Sequence, residues 1–208
     1  MDYGKAYTQL HEDAGGKWFP GSTIKRYTND IADLVRTENP RNLLDFGSGK
    51  GYQYLVLRIH EQWGGLLPYC YDVGVRQLAR RPLIKFDGVI CTDMLEHIEE
   101  ADIPVILDDI FGFLTQESRP RFAFFSIACR PDSKMLDPAG PTTGKLKESK
   151  KQKKLPDGRD VHVTVQPPAW WIPRILQAAH RQIRQSAELK IRAGFELMDG
   201  TLQREVIL

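Results

Sequence analysis

The chain has 208 residues, enough for one large domain around a single core, and no second folding unit is expected. Charged residues make up 27% of it, yet the formal net charge is only +2, which excludes a global field drawing it to nucleic acid or a membrane. Cys70, Cys91 and Cys129 sit in apolar runs without metal-ligand spacing, so they read as buried thiols of a reducing compartment and no metal is expected.

In chain order, residues 1–40 form an N-terminal helical cap or lid, with "GGKWFPGS" as a breaker before the amphipathic "TIKRYTNDIADLVRTE". Its Ile24, Tyr27, Ile31 and Leu34 keep helical spacing. "RNLLDFG" reads as a buried strand, and "KGYQYLVLRIHEQW" as a helix with Leu55, Ile59 and Trp63 on one face. "LLPYCYDV" and "KFDGVICTD" are the next strands, with too few residues between them for a full helix and another strand.

"ADIPVILDDIFGFL" carries helix-start signals, with Asp102 as N-cap, Pro104 in the first turn, and Ile103, Ile106, Ile110 and Phe113 along one stripe. "RFAFFSIACRP" has the unbroken apolar character of a central parallel strand. Residues 131–168 form a long loop, irregular from Pro131 to Asp160, on the side of the site away from the glycines. A helix starts near "PPAWWIPRIL", and "FELMDGTLQREVIL" closes the chain as a hairpin turned on Asp199 and Gly200. The expected fold is therefore α/β: a Rossmann-like, doubly wound, mostly parallel sheet with an antiparallel C-terminal hairpin. No signal-peptide pattern and no apolar run of about 18 residues occurs, so a soluble, cytoplasmic protein is expected.

In such a sheet, ligands lie beyond the carboxyl ends of the strands. The first strand ends in Asp45-x-Gly47-x-Gly49-x-Gly51, the second in Asp72, the third in Thr92-Asp93, and the fourth in Cys129-Arg130-Pro131. Glycines after the first strand let a ligand approach the main chain, and Asp72, 21 residues beyond Gly51, is placed to accept ribose hydroxyl hydrogens. A dinucleotide loop would read G-x-G-x-x-G; here the third glycine comes one residue early, and Asp45 would repel a pyrophosphate but attract a cationic amino-acid tail. That points to S-adenosyl-L-methionine.

"LLDFGSGKG", "YDVGV" and "FDGVICTDMLEHI" resemble the first, second and fourth motifs of class I S-adenosylmethionine-dependent methyltransferases, and the resemblance runs from about residue 41 to the C-terminus. The chain is also similar to a bacterial and phage branch of that family carrying "LPDGRNAH" before a tryptophan pair; here the segment is "LPDGRDVHVTVQPPAWW". The resemblance implies that Asp45, Gly47 and Gly49, with Ser48 and Gly51 beside them, line the methionine and ribose part of the cofactor. It implies that Asp72 holds the ribose, that Val73 packs on adenine, and that Thr92, Asp93, Met94 and Leu95 flank adenine and sulfonium. One departure is plain: the family's third motif, an acidic strand end between Asp72 and the fourth-motif strand, is short or missing, which leaves adenine recognition unassigned.

Methyl transfer is an in-line displacement, so orientation supplies much of its rate, and a base is needed only if the acceptor loses a proton. His97 and His162 are the candidates, with helix-capping or structural roles as their alternatives, and Asp93 is a cofactor or acceptor contact before it is a base. Trp170 or Trp171 could stack an aromatic acceptor, though adjacent helix positions diverge by about 100° and only one need face the site. Trp18 either closes over the cofactor or staples the N-terminal segment to the sheet. The run 145–154, "KLKESKKQKK", with six lysines, is either a solvated loop or a lure for a phosphate-bearing acceptor.

The position of an Asp/Asn-Pro-Pro-aromatic DNA-amine motif reads "TDML", and no cysteine stands in the Pro-Cys context of carbon-5 methylation. Nucleic acid is thus possible but not favoured, and the acceptor expected is an oxygen or nitrogen of a small molecule, nucleotide or sugar. The alternatives are a non-catalytic S-adenosylmethionine-binding regulator and a nucleic-acid methyltransferase working through the lysine loop. No membrane partner is expected.

Overall fold

The computed structural model describes residues 21, 23–132, 134–136, 146–148, 158–183 and 188–208 of the chain; Trp18 and most of the lysine run lie outside them. Four apolar runs become neighbouring strands: β1 (Leu43–Phe46), β2 (Tyr69–Tyr71), β3 (Gly88–Thr92) and β4 (Arg121–Ala128). A short antiparallel pair, β5 (Lys134–Leu136) with β6 (Leu146–Glu148), follows in the long loop, and β7 (Leu189–Glu196) and β8 (Leu202–Val206) close the chain. The main sheet has the order β2-β1-β3-β4-β7-β8, parallel throughout except for the final β7–β8 hairpin. The protein is thus α/β with a mostly parallel six-stranded sheet, and Gly200 (φ 80°) turns the terminal hairpin.

Alternation along β4 shows how the sheet is covered. Phe122 and Phe124 join Ile24, Tyr27, Ile31 and Leu34 of the N-terminal 3-10 turn and α1 (Thr28–Glu38) in one cluster. Ala123, Phe125 and Ile127 point the other way, into a cluster with Ile103, Leu107, Ile110 and Phe111 of α3 (Ile103–Gly112) and Trp171, Ile175 and Ala178 of α4 (Pro168–Gln182). Every β4 residue is buried, as its apolar run predicts.

Two helices differ from the sequence reading. The segment after the glycine loop is not one helix: α2 spans only Tyr52–Leu55, Arg58 takes a left-handed φ of 49°, and a 3-10 turn covers Ile59–Trp63. Ile59 and Trp63 are buried, but Leu55 is 78% exposed. The cause lies in what α2 turns inward: Gln53 and Tyr54 bond a buried carboxylate, so the inner face is spent on polar contacts and Leu55 is left outside. In α3, Pro104 occupies the first turn as expected, but Asp102 makes no side-chain capping bond and the fully buried stripe runs Ile103, Leu107, Ile110, Phe111, with Ile106 half-buried.

Between β2 and β3, residues 74–84 form turns, and β2 is the sheet edge among the described residues. No helix of the described residues is long and apolar enough to cross a membrane.

Candidate functional site

The carboxyl ends of β1, β2, β3, β4 and β7 open onto a cavity of about 280 Å³. Gly47, Ser48 and Gly49 line it from β1, Tyr71, Asp72 and Val73 from β2, and Thr92, Asp93 and Met94 from β3. His97, Arg130, Asp132, His162 and Glu196 close the opposite wall, while Gly21, Thr23 and Arg26 contribute from the N-terminal side.

The glycine loop is shaped by two demands. Gly47, Gly49 and Gly51 all have positive φ (77°, 57° and 69°), a region L side chains rarely adopt. At Gly47 the second demand is space, since a Cβ there would lie 2.5 Å from Met94 Cγ. The loop is also tied to β2, because Asp72 Oδ2 accepts the Gly49 N–H at 2.7 Å and Asp72 Oδ1 accepts that of Gly74 at 2.8 Å. The carboxylate thus takes backbone N–H groups from both sides of the β2 end.

Asp45 is placed differently from its expected role. It is fully buried and does not line the cavity; its Oδ2 accepts Gln53 Nε2–H at 2.9 Å and Tyr54 O–H at 2.8 Å. Burial pushes its carboxyl up to about 6, against the pull of the Tyr54 and Gln53 hydrogen bonds. Asp45 therefore braces the floor of the loop through Gln53, whose Nε2 also reaches Ser48 O at 3.1 Å, and any contact with a ligand tail passes to the loop itself. Gly51 and Leu95 likewise do not line the cavity; Gly51 starts α2 and Leu95 is wholly buried in the core.

Asp93 stands at the end of β3 with φ 49°, an uncommon conformation for a residue with a Cβ. Ser126 of β4 fixes it: the Asp93 N–H donates to Ser126 O at 2.9 Å, and Ser126 Oγ–H donates to Asp93 Oδ1 at 2.7 Å. Burial raises the carboxyls of both Asp72 and Asp93.

A comparison within the same strand gives these shifts meaning. Asp87, just before β3 and at the opposite end of the sheet, is also buried, but Arg41 (3.0 Å) and Arg119 (3.2 Å) pair with it. Burial raises its carboxyl too, yet the Arg41 hydrogen bonds and the charge of Arg119 outweigh burial and hold it below the usual range. At the site end, Arg130 and Arg26 both turn to Glu196, at 3.0 and 3.2 Å. Asp72 and Asp93 thus face the cavity without a guanidinium partner among the described residues.

The two candidate bases come together. His97 and His162 stack edge to face with ring centroids 4.9 Å apart, although they come from distant parts of the chain. His97 Nδ1 lies 2.8 Å from Val161 O, and His162 Nδ1 lies 2.7 Å from Arg130 O. A carbonyl only accepts, so each Nδ1 is the donor.

Neither tryptophan lines the cavity. Trp171 is buried in the core with Nε1–H donated to Gln166 O at 3.1 Å, and Trp170 packs beside it with the Arg174 guanidinium 3.5 Å from its ring centroid. Residues not singled out in the sequence, Gln53, Tyr54, Ser126 and Glu196, brace or line much of the site; they come from α2, β4 and β7, and no local motif joins them.

The chain was compared with protein-family models, curated proteins and solved structures, and none of them matches.

Proposed function

We propose that the protein is a class I S-adenosylmethionine-dependent methyltransferase with a Rossmann-like, doubly wound fold, acting on an oxygen or nitrogen of a small-molecule, nucleotide or sugar acceptor. The observation that carries the reading is the convergence on one cavity of the Gly47–Gly49 cradle, Asp72 tied to that cradle, and the Asp93-Met94 corner. These are the residues that carry the motif resemblance, and they stand on three adjacent parallel strands.

The residues fit the cofactor on two counts. The Gly47 cradle has no room for a Cβ, and Asp72 and Asp93 offer negative charge not met by a guanidinium. Such a wall suits a ligand carrying ammonium and sulfonium charge and opposes a pyrophosphate. When bound, the cofactor supplies a methyl group on positively charged sulfur. Asp72 would hold the ribose hydroxyls, Val73 and Tyr71 would bound the base, and Gly47, Ser48 and Gly49 would face the amino-acid tail. Asp93 and Met94 would bound the sulfonium region. On the far wall, His97 and His162 would face the acceptor, each ring oriented by a backbone carbonyl on Nδ1.

The test of the enzyme reading is incubation with S-adenosylmethionine and separate panels of hydroxyl, amine, nucleotide and sugar acceptors, with S-adenosylhomocysteine as the readout. Acceptor-dependent product is expected from at least one panel. Cofactor binding with no product from any panel would favour the non-catalytic regulator.

A further inference from the structure

We propose that Glu96, His97 and His162 form a binding site for a divalent transition-metal ion on the wall of the cavity. One ligand atom from each lies within 4.8 Å of the others, and all three side chains are buried. Ligands about 2.1 Å from a shared ion stand roughly 3 to 4 Å apart, so a small inward rotation of the Glu96 carboxylate and the rings closes the set.

Three independent features favour an ion here. The first is the orientation of the rings: both spend Nδ1–H on a backbone carbonyl, at Val161 and Arg130, and both belong to the close-set group with Glu96. Histidines that ligate metals are oriented in this way by a carbonyl or carboxylate on the other nitrogen.

The second is Glu96. It is wholly inaccessible; its Oε1 accepts the Ala128 N–H at 3.1 Å, while its Oε2 has no hydrogen-bond partner among the described residues. Among the described residues no cationic side chain forms an ion pair with it; the nearby guanidiniums of Arg130 and Arg26 go to Glu196. A buried carboxylate without compensation costs several kcal/mol, which Asp87 avoids with two arginines and Glu96 would avoid with a cation.

The third is rigidity. The segment 96–98 is zipped to the segment 161–164: Thr164 N–H donates to Glu96 O at 3.0 Å, Thr164 Oγ1–H to Ile98 O at 2.6 Å, and His97 meets Val161 O. Asp160 Oδ1 fixes the approach by accepting the His162 N–H at 2.9 Å and the Asp132 N–H at 3.1 Å. Two imidazoles and one carboxylate suit manganese, iron, cobalt or zinc before magnesium or calcium. Asp132 Oδ1 lies 4.0 Å from His162 Nε2.

The protein supplies three ligands and the two histidines face the cavity, so the remaining coordination positions open toward an acceptor, and oxygen donors of that acceptor would fill them. An ion there occupies both Nε2 lone pairs, so neither histidine remains a base. The ion site departs from the metal-free expectation, which rested on cysteine spacing alone and did not weigh the Glu-His pair with a distant histidine.

The test uses full-length protein stripped with chelator and exchanged into metal-free buffer, titrated with Co²⁺ alone and followed by calorimetry and visible absorption. Saturable binding of a single ion with a ligand-field band is expected. Glu96→Gln and His162→Gln should each weaken it about tenfold or more, whereas His180→Ala, on the exposed end of α4, should not change it. Circular dichroism of each variant checks the fold, and either folded ligand variant suffices. Absence of saturable Co²⁺ binding, or equal affinity in a folded ligand variant, overturns the site. S-adenosylhomocysteine affinity measured without Co²⁺ tests the cofactor reading separately, so either conclusion can fail alone.

Discussion

Asp72 Oδ2 accepts the main-chain N–H of Gly49 at 2.7 Å, joining the end of β2 to the glycine loop that follows β1. One carboxylate therefore sets the loop and faces the cavity. Asp72→Ala should weaken S-adenosylhomocysteine binding at least about tenfold, the loss expected for hydrogen bonds to a charged group at about 1.5 to 3 kcal/mol. It should also lower the melting temperature of the ligand-free protein, because Gly49 and Gly74 lose their acceptor. Calorimetry and thermal unfolding read the two effects; unchanged affinity would remove Asp72 from the cofactor site.

Gly47 meets two constraints at once, and they can be separated. Gly47→Ala places a Cβ 2.5 Å from Met94 Cγ at a φ of 77° and should cost about 1 to 3 kcal/mol of stability, with reduced cofactor affinity. Met94→Ala in the same chain removes the closest clash, with Cγ, but leaves Met94 Cβ at 3.0 Å and the backbone strain, so it should restore only part of the loss. A double-mutant cycle in urea measures the coupling. Strictly additive costs would show that the side chains do not meet.

Asp45 makes stability pH-dependent in an unusual direction. Its carboxyl titrates at about 6 in the fold and in the usual carboxylate range when unfolded, so the folded state binds that proton more tightly. The contribution is fully present below about pH 4 and is lost as pH rises through 6, a change of about 2 to 3 kcal/mol at about 1.4 kcal/mol per pKa unit. Asp45→Asn keeps the shape and cannot titrate, so its stability relative to the natural protein should improve by that amount from pH 4 to pH 7. Urea unfolding at several pH values gives the difference, and a parallel pair of curves would refute the burial argument.

His162 lines the cavity on the wall opposite the glycine loop. His162→Ala should lower turnover, while S-adenosylhomocysteine affinity stays within about twofold, as expected when a lost contact acts on the reaction and not on cofactor binding. A collapse of both, with loss of the native circular dichroism, would make His162 a structural link between Arg130 and the loop.

The strands and their ends were legible in the sequence because a central parallel strand must be apolar on both faces, and "RFAFFSIA" and "GVICT" announce that without help from elsewhere. The same holds for Gly47, Asp72 and Asp93, which interrupt those runs where a ligand would lie. Leu55 was misread because helical periodicity says which residues share a face and not whether Gln53 and Tyr54 will turn inward to a buried carboxylate. Asp45 was given to the ligand for a related reason: its position at a strand end is local, but its enclosure by two α2 side chains is tertiary. The pairing of Arg130 with Glu196, or of His97 with His162, joins distant parts of the chain, so the residues could be named singly as candidates but not as partners.

The central claim is that the cavity takes S-adenosylmethionine and not a dinucleotide. Isothermal titration of the protein with S-adenosylhomocysteine, and in parallel with NAD, tests it most directly. Saturable binding of one S-adenosylhomocysteine per chain with no heat from NAD is the predicted result; binding of NAD, or no binding of S-adenosylhomocysteine, would contradict it.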